Sequence, residues 1–433
     1  MTRTFLRHRG WAWGRWALTP FLVLLTGLAA GSAAPSQAAH PGHVRPVAAA
    51  TAPQPAAQLT LQLQALLGHH SVLASDMMAA RIRGDEQLAQ AAEAAVGKNT
   101  DAMGELVGSL LGDQAAGQFR LLWSAHVTAL STYARGVAQR DDGVRDSART
   151  AFTTFERDLA GFLSDGSRGR LRRDAAEAAV YVHVNHLMQE ADAYGSGDYA
   201  QAARLYREGY AHTFALGETL AVALSGPGGS SFTNKPAWRL KSQLARLLGE
   251  HVILVVAATR AGVRNTPDFA AAAEAVDANT RDLAGAVDTL FGATAAQRFQ
   301  KLWADHVDQV MAYTAGVATG DAARREDAVN RLNGFERALA AFLSTATGGR
   351  LPSASLAQAI LMHDQMLLAQ IDAFAAKQYE QAQDSAYSTY GHMIEVAGQL
   401  ADAFAGTVAA RMPQGGSQTG YGGTAGRHDH AVR

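Results

Sequence analysis

Eight histidines recur in two sets of four: His70, His126, His183 and His212, then His251, His306, His363 and His392. Three of the pairs lie 180 residues apart, and His70 and His251 lie 181 apart. Neutral imidazole is a ligand for zinc, copper, nickel or iron, so four such rings brought together would make an all-nitrogen metal site. Buried without partners, each polar ring would cost on the order of 1 to 3 kcal/mol. A closed hydrogen-bond network would satisfy them as well as a metal. The residues placed to supply it are Asn99, Tyr133 and Tyr210 in the first set and Asn279, Tyr313 and Tyr390 in the second. Trp123 and Trp303 read as packing anchors beside the rings. A single His on an apolar helix face is usually a satisfied core residue. Retention of all four, while surface positions between the two copies have diverged, favours a shared site.

The residue types narrow the metal. The chain has no cysteine, which excludes thiolate sites, disulfides, iron–sulfur clusters and covalently attached c-type haem. Ferritin-like di-iron centres need Glu ligands and a Glu-x-x-His spacing, and neither accompanies these histidines. Copper comes first and zinc second for a nitrogen-only site. The matched acids Glu156/Glu336 and Asp192/Asp372 read as solvated or capping groups.

The elements that must carry these residues are helices. Apolar residues recur at spacings of three and four, and Gly, Asp and Ser cluster at the breaks "RGDE", "LLGD", "QRDDG", "SDGSRG" and "YGSGD". In the first copy the expected helices run over residues 59–81, 85–111, 113–139, 144–163, 171–194 and 198–224. "FRLLWSAHVTALSTYARGVA" returns as "FQKLWADHVDQVMAYTAGVA", and the match extends over the whole helical region. A repeat of this length is a duplicated domain. Short connections make neighbouring helices antiparallel, so the expected fold is all-α, two tandem homologous up-and-down bundles of about six helices each. The matched histidines fall near mid-helix on the first, third, fifth and sixth helices, which puts them at one height.

The expected organisation is a signal peptide over residues 1–38, a Pro/Ala-rich linker over 39–57, one bundle over 58–224 and a Gly/Ser/Pro linker over 225–236. A second bundle follows over 237–410, with a flexible Gly-rich tail over 411–433. Arg3, Arg7, Arg9 and Arg15 precede an apolar run that ends in small residues, the pattern of an export signal. An uncleaved signal anchor is the alternative. The protein is therefore expected to be secreted or held in the cell envelope, without stable membrane insertion once the signal is cleaved. A net charge of -1 with interspersed signs gives no nucleic-acid-binding stripe. There is no HExxH helix, GxSxG elbow, P-loop or Rossmann fingerprint.

At "LLGEHVILVVAATRAGV", "FQKLWADHVDQVMAYTAGVATGD" and "MHDQMLLAQIDAFAAKQYEQA" the chain resembles secreted all-helical proteins of Gram-positive bacteria, some of which are labelled copper amine oxidase-like. That resemblance implies copper. It does not carry amine oxidation with it, because true copper amine oxidases are β-rich, their Asn-Tyr-Asp/Glu quinone motif is absent here, and the sole His-x-His lies in the tail. The resulting expectation is a non-catalytic metal-binding protein with one His-lined site per bundle, for storage, sequestration or delivery, its protein partner unknown. The alternatives are an envelope structural or interaction protein whose histidines only specify the core, and an enzyme using the same metal with an open coordination position.

Overall fold

A computed structural model describes residues 56–411. The expected signal peptide, nearly all of the Pro/Ala linker and the Gly-rich tail lie outside the described residues. Twelve helices make up the described chain. The first bundle contains α1 (Ala56–Arg83), α2 (Glu86–Leu111), α3 (Asp113–Gln139), α4 (Asp142–Gly166), α5 (Arg173–Ser196) and α6 (Tyr199–Leu224). The second contains α7 (Pro236–Arg264), α8 (Phe269–Phe291), α9 (Ala293–Thr319), α10 (Ala322–Ala346), α11 (Ser353–Ala375) and α12 (Tyr379–Arg411).

Local chemistry sets the helix ends where the punctuation predicts them. Asp85, Asp141 and Asp198 accept the backbone N–H of Leu88, Val144 and Gln201, which satisfies one free donor at the start of α2, α4 and α6. The expected linker over 225–236 is a run of turns that ends at Pro236, the first residue of α7, where a missing N–H costs nothing. The one-residue slip between the copies falls where α7 ends on Asn265 in the left-handed region (φ 52°) and a longer turn leads to α8.

Each bundle is up-and-down, with sequential helices adjacent and the last helix closing on the first. The odd-numbered helices also touch one another: α1, α3 and α5 meet pairwise, as do α7, α9 and α11. Because connections alternate direction, these three helices run parallel and form an inner triangle. The even-numbered helices lie outside it. This arrangement decides which side chains reach the centre.

The bundles pack through reciprocal contacts, α2 with α12 and α8 with α6. Tyr210 and Tyr390, equivalent residues of the two copies, meet hydroxyl to hydroxyl at 3.2 Å. They lie against two equivalent glycines, Gly68 and Gly249. A Cβ on Gly68 would stand 2.8 Å from the Tyr210 ring and 2.9 Å from the Tyr390 hydroxyl. One on Gly249 would stand 2.5 Å from the Tyr210 hydroxyl. Further along α1 and α7, Arg260, almost fully buried, donates to Asp76 across the interface at 2.9 Å.

Gly68→Ala and Gly249→Ala are each expected to destabilise the protein by about 1 to 3 kcal/mol, the usual cost of overpacking a close contact. Urea unfolding of the two variants checks this. Midpoints equal to that of the unsubstituted protein would show that the tyrosine contact yields freely.

Candidate metal centres

The inner triangle brings three histidines of each copy into one cluster. His70 on α1, His126 on α3 and His183 on α5 have ring centroids 5.1, 5.6 and 5.8 Å apart. His251, His306 and His363 repeat the cluster at 5.7, 5.8 and 5.9 Å. In each triad one ligand atom per ring lies within 4.8 Å of the other two. All six rings are buried, at 3% exposure or less.

The fourth matched pair stands apart. His212 and His392 sit on α6 and α12, outside the triangle, and each is only partly buried. Their Nε2 atoms donate to the carbonyl oxygens of Ala179 and Ala359 at 3.0 and 2.9 Å. Equal height along the bundle is therefore not enough for a four-ring site, because His212 and His392 spend Nε2 on backbone carbonyls of α5 and α11 and stay outside the triad. The structure brings together His70, His126 and His183, and His251, His306 and His363; it does not bring His212 or His392 to them.

The supporting residues also divide. Trp123 and Trp303 do more than pack: each indole N–H donates to the Nδ1 of His70 or His251, at 3.2 and 3.3 Å. Asn99 and Asn279 donate to the carbonyls of Leu66 and Leu247, one turn below His70 and His251, at 3.2 and 3.0 Å. Tyr133 and Tyr313 bond Asp192 and Asp372 at 2.8 Å instead of a ring nitrogen, which assigns those two acids a structural task. Tyr210 and Tyr390 serve the bundle interface. Phe155 and Phe335 stack on His126 and His306 with centroids 4.4 Å apart.

These contacts fix the proton positions. An indole is only a donor, so Nδ1 of His70 accepts and the neutral ring carries its proton on Nε2. His126 is set the other way: its Nδ1 lies 3.1 Å from the Trp123 carbonyl, which can only accept, so Nε2 keeps a free lone pair. That is the common second-sphere arrangement of a metal-binding histidine. Within the first triad, Nε2 of His70, Nε2 of His126 and both nitrogens of His183 have no hydrogen-bond partner. In the second, Nε2 of His251 and both nitrogens of His306 and His363 have none.

Burial holds all six imidazoles neutral. It pulls His126 down to about 4 and His306 to about 3, and it lowers His70, His183, His251 and His363 well below the ordinary value. Neighbouring imidazoles depress His70, His183, His251 and His363 further. Next to each triad lies an apolar cavity, about 60 Å³ beside Trp123 and His183 and about 50 Å³ beside Trp303, His306 and His363.

One residue of the second centre was not singled out in the sequence. Asp364 on α11 is 2% exposed, and its Oδ1 lies 3.4 Å from Nδ1 of His306 without the alignment of a hydrogen bond. The signal was available: the position matched to Asp364 in the first copy is Val184, fully buried, so an acid there is out of pattern. Glu336, read as a solvated or capping acid, is also buried, and burial raises its pKa. The histidines present in one copy only lie elsewhere. His69 stacks on Tyr390 at the bundle interface, and His186 lies beside His212.

Comparison of the chain with protein-family models, with curated proteins and with solved structures finds no match.

The lowered histidines make stability depend on acid. An unfolded imidazole takes up its proton near pH 6.5, whereas His126 does so only near 4 and His306 near 3 in the folded chain. Between those limits the unfolded state binds more protons. Stability that is fully present above pH 6.5 is therefore lost as pH falls, by about 1.4 kcal/mol per pH unit for each such histidine. The urea midpoint is expected to fall steeply from pH 6.5 towards 4, and the double variant His126→Leu/His306→Leu is expected to flatten that slope. A midpoint level across this window would contradict the assignment of neutral buried rings.

Proposed function

We propose that the protein binds transition-metal ions, one in each bundle, at His70, His126 and His183 and at His251, His306 and His363. The observation that carries this reading is the set of buried, unpartnered ring nitrogens that converge in each triad. A protein core rarely leaves polar atoms unsatisfied, and several neutral nitrogens within one small volume are what a metal requires. Copper or zinc suits such a set, copper first. Two copies of one site, each sealed in a helical core, fit storage, sequestration or delivery outside the cytoplasm. No helix among the described residues is long and apolar enough to cross a membrane, which is compatible with that setting.

A second reading rests on a specific contact. The indole N–H of Trp123 or Trp303 already occupies one nitrogen of His70 or His251. That bond favours an envelope structural or interaction protein whose triads are core hydrogen-bonding devices. Under the metal reading the same bond opposes ligation by either nitrogen of the ring. Coordination at Nδ1 would displace the indole. Coordination at Nε2 would place a proton on Nδ1, facing the indole N–H.

Elemental analysis of the purified chain after copper or zinc loading separates the two readings. One equivalent per bundle is expected, lost from both in His126→Ala/His306→Ala. No stoichiometric uptake would leave the structural reading. Trp123→Phe/Trp303→Phe is expected to bind the metal about tenfold more tightly, since about 1.4 kcal/mol of opposing hydrogen bond is removed. Its unfolding midpoint should fall at the same time. Unchanged or weaker affinity would show that the indole bond does not compete with the metal.

A further inference from the structure

The two centres share their histidines and differ in a buried carboxyl group. Around the second triad the copies depart from each other at a buried position: Asp364 stands where the first bundle has Val184. Asp364 is 2% exposed, and neither of its oxygens has a hydrogen-bond partner. A second buried carboxyl, Glu336 at 6% exposure, lies close enough to act on it electrostatically. An acid in such a place is a standing cost to the fold. Val184, fully buried at the matched position of the first bundle, shows that the helix packing does not require an acid there.

The geometry supplies a use. Oδ1 of Asp364 lies 3.4 Å from Nδ1 of His306, and neither atom has a hydrogen-bond partner, so a small rotation would let the nitrogen donate to the carboxylate. A carboxylate accepting from Nδ1–H of a histidine leaves Nε2 free to ligate and raises its basicity, the carboxylate–histidine–metal arrangement. In the first bundle the corresponding Nδ1, of His126, donates to the uncharged carbonyl of Trp123. The first centre thus offers three neutral rings with no acid at the matched place, and the second offers three rings with a buried carboxyl against one of them. The cost of carrying an ion into an apolar core grows with the square of its charge, so the carboxylate matters most for a dication.

We propose that the second centre, His251, His306 and His363 supported by Asp364, is a carboxylate-assisted site for a divalent transition-metal ion, and that the first centre binds the same ion more weakly. Asp364 acts as a positioning and charge-compensating residue. The inference rests on the metal-binding reading above and adds to it that the duplicated sites are no longer equivalent. A monovalent ion such as Cu(I), with a quarter of the charge-squared cost, should distinguish the two centres less.

The test is chelator competition on the full chain with Zn(II), and separately with Cu(I) under reducing conditions. It compares the unsubstituted protein with Asp364→Val, Asp364→Asn and Val184→Asp. Two Zn(II) steps at least tenfold apart are expected, in keeping with the 10- to 100-fold effects of second-sphere partners. Asp364→Val should abolish the tight step and leave two similar weak ones. Its metal-free unfolding midpoint should rise, because an unpartnered carboxyl has been removed, and this guards against loss of binding through misfolding. Equal Zn(II) steps in the unsubstituted protein, or an undisturbed tight step in both Asp364 variants, would overturn the proposal while leaving metal binding intact. Absence of both Zn(II) and Cu(I) binding would instead overturn the metal reading itself.

Discussion

Three neutral imidazoles buried in an apolar helical core impose the constraint on which the rest of each bundle depends. Each ring has two nitrogens to satisfy, and the surrounding side chains are almost all hydrocarbon. Trp123 and Trp303 meet part of that demand by donating to His70 and His251. The Trp123 carbonyl meets another part at His126. Several nitrogens are left over, and one ligand atom of each ring lies within 4.8 Å of the other two, which gives the centre its chemical meaning. Phe155 and Phe335, from α4 and α10, stack on His126 and His306 and cover one face of each ring.

Duplication and divergence have acted on different layers of the molecule. Inside each bundle the triad, the tryptophan and the stacked phenylalanine are the same in both copies. Where the bundles meet, equivalent positions carry unlike residues. His69 stacks on Tyr390 and lies tilted against Tyr387, whereas its counterpart Glu250, also buried, pairs with Arg207 and Arg246. Arg260 and its partner Asp76 are matched by Ala79 and Ala257. A contact between two copies of one surface need not use the same residue twice once both lie in one chain, so each side is free to specialise. Tyr210 and Tyr390, packed on the matched Gly68 and Gly249, instead use the same residues from both copies and form a reciprocal self-pair.

The second centre extends that divergence into the core. Placing Asp364 beside His306 costs stability unless something partners the buried carboxyl group, and acids that burden a fold in this way concentrate at functional positions.

Much of this protein was legible without coordinates, for a local reason. Helix periodicity, capping aspartates and left-handed turn residues act within a few positions of themselves, so the number, bounds and direction of the helices follow from short stretches. The duplication likewise needs only alignment of the chain with itself, and it identified all eight matched histidines and their common height. What the helices present to one another is a different matter. That α1, α3 and α5 form the inner triangle while α6 lies outside depends on the packing of whole helices, and it removes His212 and His392 from the cluster. The hydrogen bond from Trp123 to His70, spanning 53 residues, and the approach of Asp364 to His306 arise the same way. Sequence by itself determined which residues were available and at what height; only the tertiary structure decided which of them face each other, because facing is set by non-local packing that no local pattern encodes.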